Sequence, residues 1–227
     1  MTAFTGNPTG GIASAHTGKL SLPERLFANL FSYIFHPVFI PLYVTWFLLY
    51  IHPSAFTGFT SAAKMQTLLI IGLNLVFFPL FTVFLLKALR FIESIYLRTQ
   101  RDRIIPYIAV GIFYFWGYLI FRQQPAYPSI LTSFVLGIFL ASSACLIANI
   151  YFKISMHATG IGSCLGVFLL IMFRNEMLMT WPLSVLILIG GLVFSARLLL
   201  GSHSAKDMYM GLAVGVISQI IAGLIVK

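Results

Sequence analysis

Seven apolar runs separated by short polar stretches set the pattern of the chain, at about 27–51, 66–90, 104–121, 129–152, 157–173, 179–199 and 207–226. A bilayer-spanning helix needs roughly 20 apolar residues. In lipid each backbone polar group must be bonded within its own segment, so these runs predict helices. The fifth is the shortest, at 17 residues. The first contains His36, Pro37 and Pro41, which predict a kinked or partly re-entrant segment. The expected fold is therefore all-α, a polytopic transmembrane bundle of six or seven spans. The connections are short and carry turn formers, such as Gln123-Gln124-Pro125 and His52-Pro53-Ser54. Residues 1–26 read as a disordered or interfacial tail, rich at first in Gly, Ser, Thr and Ala, without a signal-peptide pattern. Residues 27–227 read as one transmembrane domain, with no room for a separate soluble one and no internal repeat.

Composition agrees with that pattern. Of 227 residues 59% are hydrophobic and 8% charged, with a mean hydropathy of +0.97, whereas a soluble domain carries about 25% charged residues. Cys145 and Cys164 both fall inside apolar runs and read as small buried hydrophobes. The net charge of +9, from 14 Lys and Arg against 5 Asp and Glu, sits in short inter-span loops. Anionic lipid headgroups are the natural partner there. Nucleic acid is excluded, because aromatic residues do not interleave with a basic stripe.

Three polar stretches carry the candidate chemistry. They are Arg98-Thr99-Gln100-Arg101-Asp102-Arg103, Lys153-Ile154-Ser155-Met156-His157, and the segment from Arg197 through His203 to Asp207. Two spans separate each stretch from the next, so all three return to one membrane face and can form one pocket. Arginine suits a phosphate because its planar fork donates paired hydrogen bonds. Two histidines suit displacement at phosphorus, one as nucleophile and one to protonate the leaving oxygen. His203 and Asp207 are four apart, which on a helix places them on one face. Asp207 would then orient one ring nitrogen of His203 and leave the other free to attack. His36 and His52, each followed by proline, read as turn or kink residues. Ser155 precedes a predicted helix and equally fits an N-cap. No close His, Cys, Asp and Glu cluster has metal-ligand spacing, and arginines can neutralise a phosphoryl group. No metal or cofactor is expected.

At these residues the sequence resembles the type 2 phosphatidic acid phosphatase superfamily of membrane lipid phosphatases. Arg197-x5-His203-x3-Asp207 matches the spacing of the family's third motif, Ser155-Met156-His157 matches part of its second, and the arginines before Pro106 match its first in degraded form. The resemblance implies a nucleophile that becomes phosphorylated at His203, oriented by Asp207. His157 would protonate the leaving group and then activate water. Arg197, Ser155 and one of Arg101 and Arg103 would bind phosphate oxygens. Two departures stand out: Met156 replaces a glycine, and Ser94 or Tyr96 stands where the first motif has lysine.

The function expected is a lipid phosphatase acting on a phosphate or diphosphate monoester through a phosphohistidine. The alternatives are a phosphotransferase of the same chemistry or a non-catalytic anion-binding or transport protein. The expected location is the bacterial cytoplasmic membrane. Leaving aside possible site residues, the motif side keeps Lys19, Arg25, Lys87, Arg90, Arg98 and Lys153, and the other side Lys64, Arg122, Arg174 and Lys227. That bias favours a cytoplasmic site, whereas the resemblance favours the outer face.

Overall fold

A computed structural model describes residues 21–92, 100–174 and 177–226, apart from the side chains of Gln100 and Arg101. The regular structure of the described residues is all helix, with seven segments long and apolar enough to cross a membrane. This is the fold of an integral membrane protein.

The first segment begins at Leu22, earlier than the apolar run predicts. Glu24 accepts the Ser21 amide at 2.9 Å, and Pro23 sits in the first turn, where its missing N–H costs nothing. Helix α1 (Leu22–Ile34) stops before Pro37. A 3-10 turn (Pro37–Phe39) follows and leads into α2 (Ile40–Tyr50), so the expected kink is a full break. The two parts go to different neighbours: α1 packs on the eighth helix, while α2 enters the bundle.

Helices α3 (Ser61–Ile71) and α4 (Phe78–Ala88) form one span joined by a π-helical stretch, Gly72–Phe77. Pro79 explains the interruption. Its ring cannot donate to the Leu75 carbonyl and crowds it, and a wider turn upstream gives the ring room. The remaining spans are α5 (Gln100–Arg122), α6 (Ser129–Tyr151), α7 (Met156–Phe173), α8 (Thr180–Leu199) and α9 (Ala205–Ile225). Large apolar side chains such as Phe81, Trp116, Ile187 and Leu224 stay exposed around the outside, where lipid is the solvent. Inside, Leu48, Leu75, Leu131 and Phe134 are fully buried, and the Phe47 and Phe168 rings meet at 4.6 Å.

Lipid tails are as apolar as leucine, so helices in a bilayer are held by close packing rather than by hydrophobic burial. The α7–α9 seam shows this. Gly162 lies against the Leu212 carbonyl, and Gly215 lies against the Thr159 carbonyl and the Ser163 amide. A Cβ on Gly211 would come within 2.6 Å of the Ser155 carbonyl. The seam fixes the start of α7 against the start of α9, and both starts carry candidate chemistry.

Candidate functional site

The three polar stretches meet at one end of the bundle. On the first turns of α5, Arg103 is buried and its Nη1 donates to the Ile154 carbonyl at 3.5 Å. Lys153 donates through Nζ to the Ser202 carbonyl at 2.9 Å. The Ser155 amide donates to the Asp207 carbonyl at 3.3 Å, tying the start of α7 to the start of α9. Arg101 lies on the same turn as Arg103, but its side chain falls outside the described residues, as does the whole of Arg98.

Local rules place the third stretch. Gly201 takes a φ of +60°, a left-handed conformation that glycine adopts without strain. Its amide bonds to the Leu198 carbonyl and the Ser202 amide to the Arg197 carbonyl, at 3.0 and 3.3 Å. That pair of bonds is the Schellman ending of a helix. It sets Arg197, on the last turn of α8, in a defined relation to His203 just beyond the turn. Ser204 then caps α9: its hydroxyl accepts the Asp207 amide at 3.2 Å, and Asp207 Oδ2 accepts the Ser204 amide at 2.9 Å.

The shared helical face expected for His203 and Asp207 therefore needs correction. His203 precedes α9, and the turn rather than the helix brings it to its partner. The separation of His203 Nδ1 and Asp207 Oδ2 is 3.7 Å, an ion-pair distance but too long for a hydrogen bond. Asp207 instead uses its carboxylate to close the helix start. Ser155 has a similar structural task, its buried hydroxyl accepting the Ala158 amide at 3.4 Å as the N-cap of α7. Met156 packs with the small cluster of Tyr107, Cys145 and Ile154.

His157, in the first turn of α7, has its Nε2 at 3.1 Å from the Ser32 carbonyl at the end of α1. Its ring stands nearly perpendicular to that of His36, with centroids 5.2 Å apart. His36 also has the turn role its sequence suggests, since its Nδ1 accepts the Val38 amide at 3.3 Å. His52 likewise serves a turn, accepting the Ser54 and Ala55 amides. Sequence reasoning had no means of bringing His36 to the site, since the contact spans more than half the chain.

Two polar atoms here are buried without a hydrogen-bond partner among the described residues: Arg197 Nε and His203 Nδ1. Buried donors are nearly always satisfied, so an orphan calls for an explanation. Both lie in strongly positive surroundings. Burial first, then Arg197, Lys153 and Arg103, hold the His203 pKa down at about 4, against a smaller upward pull from Asp207. The ring is therefore neutral at pH 7, with a lone pair available. The arrangement suits an anion that would accept from the arginines while a neutral imidazole faces it.

Fold and site together define a polytopic helical membrane protein with a cluster of cationic and histidine side chains at one bundle end. No family model, curated protein or solved structure matches the chain.

Proposed function

We propose that the protein is a lipid phosphatase that works through a phosphohistidine, a member by chemistry of the type 2 phosphatidic acid phosphatase superfamily. The observation that carries this reading is the buried Arg197 Nε without an acceptor, beside a neutral His203 and within reach of Arg103. A phosphate monoester supplies the missing acceptor. His203 Nε2 attacks phosphorus and the bond from phosphorus to the lipid oxygen breaks, while His157, having taken the proton of the incoming phosphate monoanion, delivers it to that oxygen. The phosphoryl group is then on His203, and its oxygens lie among the arginines. His157, now neutral, takes a proton from water. The resulting hydroxide attacks phosphorus, the N–P bond breaks, and inorganic phosphate leaves with His203 restored. Asp207 needs a shift of under 1 Å to accept a hydrogen bond from His203 Nδ1 as positive charge develops on the ring.

A place for the lipid tail supports the same reading. An open apolar groove of about 320 Å³ lies between α5 and α6, lined by residues including Ile108, Ile112, Phe115, Phe139 and Leu146. Tyr107, one helical turn from Arg103, is among its lining residues. A lipid in the bilayer could lay its chain there with its headgroup toward the cations.

The direct test is phosphate release from a panel of lipid phosphates by purified protein, without added metal and with vanadate as inhibitor. Turnover of at least one lipid, lost in His157→Ala, is expected. Turnover of none would overturn the reading in favour of anion binding or transport.

The charge on His203 adds a pH prediction. Protonation removes the attacking lone pair, so kcat/KM should fall as pH falls through the free-enzyme value of about 4, well below the ordinary 6.5. Lys153→Gln removes one of the cations holding that value down, and its acid limb should move upward. The substrate's own titration is common to both proteins, so a comparison of their pH profiles isolates His203. Coincident limbs would remove Lys153 from the electrostatics of the site.

A further inference from the structure

The end of α1 contributes more to this pocket than a wall. Pro37 has no N–H, so α1 cannot continue and its last carbonyls lose their usual partners. The Phe31 carbonyl keeps its helical partner, the Phe35 amide, at 3.0 Å, and the next three find others: the Tyr33 carbonyl takes the His36 amide at 3.3 Å. The Ile34 carbonyl takes the Tyr43 hydroxyl at 2.7 Å. The Ser32 carbonyl takes Nε2 of His157. A carbonyl only accepts, so that nitrogen carries hydrogen, and Nδ1 of His157 is left to exchange protons in the pocket.

The same reasoning fixes His36. A backbone amide only donates, so Nδ1 of His36 is the acceptor from Val38 and its Nε2 carries the ring proton. That N–H has no hydrogen-bond acceptor among the described residues, and the ring is only half-buried. It stands 5.2 Å from the ring of His157 at an interplanar angle of 83°, and Arg197 acts electrostatically on both rings. The pocket thus holds a third imidazole with an open donor, on a segment outside all three polar stretches.

We propose that His36 is a substrate-contacting residue, its Nε2–H donating to an oxygen of the bound phosphate group beside His157. This rests on the lipid phosphatase reading. The bland role, a cap for the 3-10 turn, uses only Nδ1, and the two nitrogens can be separated by substitution. His36→Asn keeps an acceptor near the Nδ1 position, where asparagine is a good cap, and loses the far donor. His36→Gln places an amide N–H near the Nε2 position. His36→Met fills nearly the same space as glutamine without a donor.

The experiment uses the full chain in detergent, a lipid phosphate that the unaltered protein turns over, and orthovanadate as a phosphate-like inhibitor. A hydrogen bond to a charged group contributes enough that its loss should lower kcat/KM about 10- to 100-fold. His36→Asn is expected to show that loss and a comparable weakening of vanadate inhibition, with thermal stability retained. His36→Gln should recover most of both and exceed His36→Met. An Asn variant equal to the unaltered protein in rate and vanadate inhibition would overturn the proposal and leave His36 a cap. A Gln variant no better than the Met variant would overturn it as well, whether or not the Asn variant folds. Neither result touches the parent reading, which fails separately if the unaltered protein and His203→Ala behave alike on every lipid.

Discussion

Replacing His203 by alanine should abolish lipid dephosphorylation, by about 1,000-fold or more, while leaving the fold intact. The magnitude follows from the role proposed: a covalent mechanism without its nucleophile retains only what binding and electrostatics supply. The intact fold follows from position. His203 sits in the turn between α8 and α9, its Nδ1 makes no hydrogen bond, and the turn is held by the Gly201, Ser202 and Ser204 backbone. Unchanged thermal unfolding alongside lost turnover is therefore the expected pair of results. A radiolabelled lipid phosphate should leave an acid-labile phosphoenzyme on the unaltered protein and none on the variant. If labelling survives in His203→Ala, another side chain is the nucleophile, and the assignment of roles among the histidines must change.

The second large effect comes from a single methyl group. Gly215→Ala would set a Cβ onto the Thr159 carbonyl, 2.6 Å from the Ser163 amide and 2.8 Å from the Gly162 carbonyl carbon. These are backbone atoms of α7 and cannot swing aside as a side-chain tip does, so the helices must separate. Overpacking in a close-packed interior costs about 1–3 kcal/mol, and backbone-to-backbone crowding belongs at the upper end. For a chain of this length that is a fall in Tm of roughly 6–12 °C. Activity should drop with it, because the Ser155–Asp207 link crosses the same seam. Gly191→Ala is the control, since a Cβ there meets nothing within 4 Å. Equal unfolding temperatures for the two variants would show that α7 and α9 are not held by this seam.

The helices were legible because apolar runs in this chain end abruptly at charges, prolines and glycines. The start of α1 was missed, although Ser21 and Glu24 stand at capping-box spacing and announce it. Ser204 and Asp207 have a related spacing, which marks Asp207 as a helix cap as well as a possible partner for His203. Periodicity could bring Asp207 close to His203, but the break at Ser204 decides that the carboxylate stops at 3.7 Å. The meeting of the three polar stretches followed from counting spans. The arrival of Ser32 and His36 at His157 did not, because nothing local in either segment encodes a contact between residues so distant in the chain. Arg101 was an expected phosphate ligand whose side chain lies outside the described residues, so of the two arginines considered it is Arg103 whose side chain can be placed.

The α7–α9 seam also constrains biogenesis. Helix α7 enters the membrane with its glycine-lined face and His157 already in place, while the helix that covers that face is made only after α8. Between those two moments the small residues of α7 face lipid or a passing helix, and Ser155 lacks its link to Asp207. The pocket is thus assembled late, when α9 inserts and the turn at Gly201 brings His203 to rest. A nascent chain halted before α9 would carry the arginines, His157 and His203 yet lack Asp207 and the helix start that holds that turn in place.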